Sequence, residues 1–267
     1  MSTVAGVFAS QTDAEQAVNR LKSAGFSTDK IVLLMPGKPG AELNPPVPTV
    51  EGEQPGMGKA VGSVIGGAVG IAGGFEGGAI ASAAIPGVGP VMALGLLGAA
   101  VLGIAGAGLG AAVGNVLEED LAQGLPTDEV FVYEDALRKG RSVVLAFPED
   151  DSAADSARQA MDAEGAESID SARKQWWIGL RSAEKEHYSV GGGDFEQDEK
   201  FYRMGFEAAL HAGSRRKEYD QVLSEMASHL EELRRRYPDS DVEEPFRRGY
   251  ERGRAYYQNL SNRSKAA

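Results

Sequence analysis

The chain has 267 residues, enough for one large domain or two small domains with a buried core. Its net charge of −12 argues against a general affinity for nucleic acid or anionic lipid. It contains no cysteine, which excludes disulfides, thiolate metal sites and a cysteine nucleophile. No basic segment precedes the first acidic residues, so we expect no signal peptide.

The first 36 residues predict a strand, a helix and a second strand. TVAGVFA is typical of a short apolar strand, and KIVLLM of a strand that is buried on both faces. Between them, Thr12 and Glu15 predict a capping box, and Gly25 predicts the end of the helix. The segment is therefore a β-α-β unit.

The same unit recurs later in the chain, with Ser152 in the place of Thr12 and Gly165 in the place of Gly25 at one common offset. SVVLAFP predicts a strand, Ser152 and Asp155 a second capping box, Gly165 the end of a helix, and ESIDSA a weaker strand. Two such units, joined between their inner strands, specify a ferredoxin-like β-α-β-β-α-β sandwich of the α+β class. Its halves are predicted at 1–36 and 118–175.

An apolar insertion at 57–117 interrupts this domain, and it holds a single acidic residue, Glu76. The turn IPGVGP at 85–90 separates two helices, predicted over 57–83 and 91–117. At about 1.5 Å per residue each helix would be about 40 Å long, enough for a hydrocarbon core of about 30 Å. The insertion therefore predicts an α-helical hairpin that returns the chain to the side from which it came.

Small residues recur at every fourth position in both predicted helices. Glycine in a helix interior costs about 1 kcal/mol relative to alanine, so such rows are typical of helices whose backbones touch, a glycine zipper. Small residues on more than one side of the first helix favour contacts between hairpins, and we expect a homo-oligomer. The residues assigned to helix packing are Gly58, Gly62, Gly66, Gly70, Gly74, Gly78, Gly95, Gly103, Gly106, Gly110 and Gly114.

Two settings fit the hairpin. Its length and its lack of charge favour insertion into a membrane or tight association with membrane lipid, whereas its few large apolar residues and acidic flanks favour a soluble assembly. Glu76 is the candidate functional acid, because a charge deep in a bilayer costs roughly 2.5–3.5 kcal/mol and therefore faces an interior or water. It would form a proton- or cation-responsive element in assembled hairpins, or meet water in a shallow hairpin.

Linkers are predicted at 37–56, rich in Pro and Gly, and at 176–195, and a unit of three helices at 196–262. In that unit YRMGFE, from Tyr202, recurs as FRRGYE, from Phe246. Its arginines and tyrosines suit phosphate contact and base stacking, but the interleaved acids favour a solvated face of salt bridges. An acidic protein partner or lipid headgroups are the next possibility. These residues are Arg234, Arg235, Arg236, Arg247, Arg248, Arg252, Arg254, Tyr256 and Tyr257.

The sequence motifs considered for catalysis and for cofactor binding are incomplete in this chain. A phosphate-binding loop would need glycine at Glu53 and serine or threonine at Ala60, and no dinucleotide fingerprint follows a strand. The three histidines, His187, His211 and His229, are scattered and lack metal-ligand spacing. We therefore expect no enzyme, no cofactor, no metal and no nucleic acid partner.

The two segments that bracket the insertion are TVAGVFASQTDAEQAVNRLKSAGFSTDKIVLLMPG and GLPTDEVFVYEDALRKGRSVVLAFPEDDSAADSARQAMDAEGAESIDSA. With the glycine-zipper pair between them they resemble bacterial heat-induced and general stress proteins, over roughly residues 3–173. The most specific piece contains Tyr133, Glu134 and 138–140. The resemblance implies a non-enzymatic stress protein that is linked to a membrane.

Three functions follow as expectations. The first is a protein at the cytoplasmic face of the inner membrane that self-associates through the zipper. The second is a soluble, cytoplasmic oligomer that senses a ligand or mediates an interaction. The third is a pore or transport element formed by assembled hairpins.

Overall fold

The computed structural model describes residues 3–37, 80–85, 88–95, 101, 126 and 128–266. The protein is mixed α+β and divides into two compact units. The sheet unit lies within Met1–Leu125 and Ala136–Ile169, and the helical unit within Pro126–Asp135 and Asp170–Ala267.

The sheet unit contains six strands among its described residues: β1 (Val4–Phe8), β2 (Ile31–Pro36), β3 (Ile80–Ile85), β4 (Gly89–Leu94), β5 (Ser142–Ala146) and β6 (Glu167–Ser168). They form one sheet in the order β3-β4-β2-β5-β1-β6, and every pair of neighbours is antiparallel. Helix α1 (Gln11–Ser23) follows β1, α2 (Val130–Arg138) precedes β5, and α3 (Asp151–Asp162) follows β5. The predicted strand-helix-strand unit is thus present at both ends of this region.

The caps of α1 and α3 lie two positions earlier than the sequence predicted. Ser10 caps α1 and accepts a hydrogen bond from the backbone N–H of Asp13, while Asp150 caps α3. Thr12 and Ser152, the predicted caps, lie inside the helices. The two β-α-β units still correspond residue by residue, because both observed caps lie two positions before the predicted ones and are separated by the same offset.

Both helices bury their apolar stripes against the sheet. Leu21 of α1 and Met161 of α3 join one core cluster with strand residues such as Phe8, Leu33 and Val144. Since β5 is buried at all five positions, both faces of the sheet are covered there, as expected for a central strand.

The strands β3 and β4 form a hairpin that extends the sheet beside β2. β4 pairs with β2 from Leu33 opposite Leu94 to Pro36 opposite Val91, and the backbone N–H of Gly37 donates to the carbonyl of Pro90 at 2.7 Å. The prediction of helix at 80–83 and 91–94 is therefore wrong. One physical reason is that β-branched residues flank a Pro-Gly sequence, a pattern typical of two strands joined by a turn. The other is that the edge of β2 away from β5 presents backbone N–H and C=O groups, with which a strand can pair and a helix cannot.

The helical unit contains the start of α2, as far as Asp135, and four further helices: α4 (Ile169–Val190), α5 (Phe195–Leu210), α6 (Tyr219–Arg236) and α7 (Glu243–Ala266). The predicted linker at 176–195 is wrong over most of its length, because α4 continues to residue 190. Trp176, Trp177 and Tyr188 are all buried on α4, so this stretch is part of the hydrophobic core and is not a linker. The three helices predicted after it are confirmed.

The repeated motif of YRMGFE and FRRGYE forms the crossing of α5 and α7. A Cβ built at Gly205 would lie 1.9 Å from the carbonyl oxygen of Phe246, and one at Gly249 would lie 1.9 Å from the carbonyl oxygen of Tyr202. Because Tyr202 and Phe246 are equivalent in the repeat, the two contacts are equivalent as well. The helices therefore pack backbone to backbone at these glycines.

Candidate functional site

Most of the residues that the sequence assigned to helix packing lie outside the described residues, and so does Glu76. Gly95 is the exception. It follows β4 with a φ of 114°, and a Cβ there would lie 2.2 Å from the carbonyl oxygen of Ile31 in β2. The expectation that Gly95 lies in a helix is wrong, since it serves a left-handed turn and a close approach of two strands. The packing residues outside the described part are Gly58, Gly62, Gly66, Gly70, Gly74, Gly78, Gly103, Gly106, Gly110 and Gly114.

The helices of the described part include none that has both the length and the apolar character to cross a bilayer. In the same residues, no three His, Asp or Glu side chains are grouped so that they could hold a metal ion. His187 and His229 are exposed on α4 and α6, and His211 follows α5. Burial lowers the pKa of His211, which favours its neutral form.

Several arginines of the helical unit are engaged within that unit. The clearest case is Glu184, which is buried and accepts hydrogen bonds from Nε and Nη2 of Arg252 at 2.9 Å each. The hydroxyl of Tyr202 donates to the same carboxylate at 2.8 Å. Three donors thus satisfy one buried charge, the condition under which a buried ion pair is tolerated.

A second buried pair joins Arg215 to Glu134 of α2. Nη1 of Arg215 lies 2.8 Å from the carboxylate of Glu134, and its guanidinium lies 4.7 Å from the ring centroid of Tyr257. Burial lowers the pKa of Arg215, but the facing Glu134 more than offsets it and the pKa is raised overall. Sequence reasoning missed this pair, because its members lie far apart in the chain and no local pattern links them.

Four more of the predicted arginines are also held by partners. Arg248 lies 3.6 Å above the ring centroid of Tyr188 and donates to the carbonyl of that residue at 2.7 Å. Arg247 pairs with Glu251 at 3.0 Å. Two further ion pairs join Arg234 to Glu243 and Arg254 to Glu218. The surface of the helical unit therefore carries many salt bridges, as the interleaved charges predicted.

A polar cluster lies where α2 begins. The hydroxyl of Tyr133 donates to Glu129 at 2.6 Å, and Nη2 of Arg173 lies 3.5 Å from the carboxylate of Asp128. Burial raises the pKa of Glu129, although the bond from Tyr133 lowers it. Because these groups pair with one another, the cluster attaches the start of α2 to α4 within the helical unit.

An open pocket of about 390 Å³ lies in the sheet unit, between the end of α1 and the start of α3. Phe26 and Phe147 line it together with the cation of Lys30 and the carboxylates of Glu149 and Asp150. The carboxylate of Asp150 caps the N-terminus of α3, accepting from the N–H of Ala153 at 2.7 Å, and its negative charge disfavours an anion there. The pocket therefore offers mixed chemistry and no convergent set of donors.

Comparison of the chain with known protein families, with curated proteins and with solved structures finds no match in any of the three.

Proposed function

We propose that the protein is a non-enzymatic stress-response protein that associates with one face of a membrane and self-associates through its glycine-rich insertion. The membrane part of the proposal is supported by the apolar, glycine-rich sequence on either side of β3 and β4, and the pairing of these strands with β2 of the sheet unit restricts how that sequence could meet a membrane. The stress-response part rests on the family resemblance of the bracketing segments.

The fold we propose for the sheet unit is a ferredoxin-like sandwich with an added hairpin. Support comes from the strand order: without β3 and β4 it is β2-β5-β1-β6, in which α1 and α3 each connect strands that are separated by one neighbour. β3 and β4 then continue the sheet past β2.

The pairing of β4 with β2 restricts how the insertion could meet a membrane. In the predicted hairpin, the turn at 85–90 would lie across the bilayer from the sheet, yet Pro90 accepts a hydrogen bond from Gly37 at the end of β2. If the apolar stretch 57–79 crossed the bilayer to reach β3, the linker 38–56 would have to cross it as well. That linker is rich in proline and carboxylates, and irregular polar backbone is not tolerated against hydrocarbon.

We therefore propose that the stretches 57–79 and 96–117 lie in or on one face of the membrane and do not cross it. An apolar segment of this kind binds through the area that it buries at the interface. The same restriction removes the support for a pore, because a pore needs segments that span the bilayer.

The first test is fractionation of native cells, with washes in high salt and carbonate. Two variants delete 57–79 or 96–117 separately and keep the hairpin 80–94, so that β2 retains its partner. We expect the full-length chain to stay with washed membranes and both deletion variants to be released. A full-length chain that remains in the soluble fraction would refute membrane association.

The second test determines on which side of the membrane the hairpin of β3 and β4 lies. The natural chain has no cysteine, so single cysteines can be labelled without background. Val88→Cys places one in the β3–β4 turn, and Val190→Cys places one at a position that is 86% exposed. We expect a membrane-impermeant maleimide to label both from the same side. Labelling from opposite sides would show that the hairpin crosses.

A soluble oligomer that senses a ligand is the second candidate. The pocket beside α3 favours it, because its volume is within the range of small-molecule sites. If the full-length chain is soluble and elutes as a defined oligomer, ligand binding at Lys30 and Phe147 becomes the next measurement.

A further inference from the structure

The two ends of the sheet differ in how they are protected. At one end β6 has only two residues, and Glu167 in it forms an ion pair with Arg141 at 2.7 Å. A short, charged edge strand of this kind discourages pairing with another sheet. At the other end β3 has six residues, IASAAI, with no charge and no proline, and its pairing with β4 is continuous from Ile80 to Ile85. Neither a charge nor a proline within β3 itself protects that edge.

The backbone groups on the outer side of β3 follow from the register. Because the carbonyl of Pro90 accepts from Gly37, the backbone of Pro90 points toward β2. Successive residues of a strand point to opposite sides, so the backbone of Val91 points toward β3, where it faces Ala83. The alternate residues of β3 then direct their N–H and C=O groups away from β4. These residues are Ile80, Ser82 and Ala84.

Among the described residues, no strand pairs with that outer side of β3. Each unpaired N–H and C=O that is withdrawn from water without a partner costs free energy comparable to a lost hydrogen bond. Within the described residues the outer backbone groups of β3 therefore lack strand partners, and an uncharged strand of equal length, such as β3 of a second copy, would supply them.

We propose that β3 pairs antiparallel with β3 of a second copy, across a two-fold axis at Ser82. In this register Ile80 faces the partner subunit's Ala84, and Ser82 faces the partner subunit's Ser82. Every outward backbone group then has a partner, because each facing pair exchanges two hydrogen bonds. The two sheets become one continuous sheet, an isologous interface that closes at two copies. The inference rests on the self-association in the proposed function and identifies its surface.

Cysteine cross-linking tests the register. Residues directly opposite in a hydrogen-bonded pair have Cα atoms about 5.5 Å apart, which lies within the range of a disulfide. Ser82→Cys is expected to form a covalent dimer under mild oxidation. Ala84→Cys alone is the matched control, since two copies of that residue lie four positions apart, about 13 Å along the strands. A mixture of Ile80→Cys chains and Ala84→Cys chains is expected to cross-link as heterodimers.

Sedimentation equilibrium of two substitutions at the axis tests the same edge without a cross-link. Ser82→Pro removes an outward N–H that β4 does not use, so proline is compatible with its own sheet. It should raise the dissociation constant of the dimer about tenfold or more, because two hydrogen bonds at the axis are lost. Ser82→Ala keeps the backbone donor and should leave the dissociation constant unchanged. Amide exchange of β2 checks that the sheet remains folded in both.

The outcomes separate this inference from the proposed function. If Ser82→Cys cross-links but the full-length chain leaves washed membranes, membrane association fails and the inference stands. If the chain is membrane-bound and oligomeric but Ser82→Cys does not cross-link, the inference is overturned and the proposed function stands. Protection of the Ser82 amide in dilute monomer would also overturn it, because another segment of the same chain would then cover the edge.

Discussion

The crossing of α5 and α7 makes a quantitative prediction for Gly205→Ala. The added Cβ would meet the carbonyl oxygen of Phe246 at 1.9 Å and the backbone nitrogen of Tyr250 at 3.0 Å. Both atoms belong to the helical backbone of α7, so neither moves aside as the end of a side chain would. Bringing that carbon to an ordinary contact of 3.4 Å requires the two helices to separate by about 1.5 Å.

Two effects of opposite sign set the magnitude. Alanine in a helix interior is favoured over glycine by about 1 kcal/mol, whereas overpacking a well-filled contact costs about 1–3 kcal/mol or more. The clash at Gly205 is with rigid backbone and the helices around it bury aromatic side chains such as Phe206 and Tyr250. We therefore expect the packing cost to win, with a net loss of about 2 kcal/mol or more in the free energy of unfolding.

Urea unfolding followed by tryptophan emission measures this loss. Both tryptophans of the chain, Trp176 and Trp177, are buried in the helical unit, so their emission reports that unit and not the sheet unit. Gly179→Ala on α4 is the matched control, because its Cβ would meet nothing within 4 Å. It should stabilise the unit by up to about 1 kcal/mol. If Gly205→Ala is as stable as Gly179→Ala, the backbone contact at the crossing is refuted.

Three further predictions follow from the described residues. Glu134→Ala should destabilise the helical unit by about 3–5 kcal/mol, because it removes the carboxylate that balances the buried charge of Arg215. Urea unfolding measures this loss, and it should show a smaller loss for the double variant Glu134→Leu with Arg215→Met. Because burial lowers the pKa of His211 below its ordinary 6.5, the unfolded chain takes up that proton first and stability should fall as pH drops below 6.5. His211→Gln should reduce this fall between about pH 7.5 and 5, which urea unfolding at a series of pH values measures. Gly95→Ala should cost about 2 kcal/mol or more in thermal unfolding of the sheet unit, since it combines a positive φ with a clash against the backbone of β2.

The sequence predicted the sheet unit well where local signals and tertiary structure agree. Gly25 and Gly165, the predicted helix ends, both adopt positive φ, at 98° and 77°. Their position relative to the caps is the same in both halves, and this identified the repeated unit even though each cap was placed two positions late. The caps were misplaced because Ser10 and Asp150 lie beside other residues that also favour a cap, and only the hydrogen bonds distinguish them.

The failures lie where a long-range partner decides the local structure. Residues 80–83 and 91–94 continue the uncharged, apolar pattern that predicted two helices, but neighbouring strands supply backbone partners to them as strands. The sequence contains no signal for the pairing of β4 with β2, because the two strands are far apart in the chain. At 176–195 the sequence predicted a linker, whereas α4 continues to residue 190 and its buried Glu184 pairs with Arg252 of α7. In both places tertiary contacts override the local pattern.

The Arg and Tyr density of the C-terminal region has an explanation that needs no external ligand. Nucleic acid binding by stacking would require exposed rings beside free cations, and the rings of Tyr188, Tyr202 and Tyr250 are buried in the helical unit. Arg248 covers the ring of Tyr188, and Arg252 pairs with the carboxylate that Tyr202 also contacts. These rings therefore supply apolar area to the helical unit, while Arg248 and Arg252 pack against a ring or pair with a carboxylate there. A functional surface is then better sought at the outer edge of β3, with which no described strand pairs, than on the arginine-rich helices.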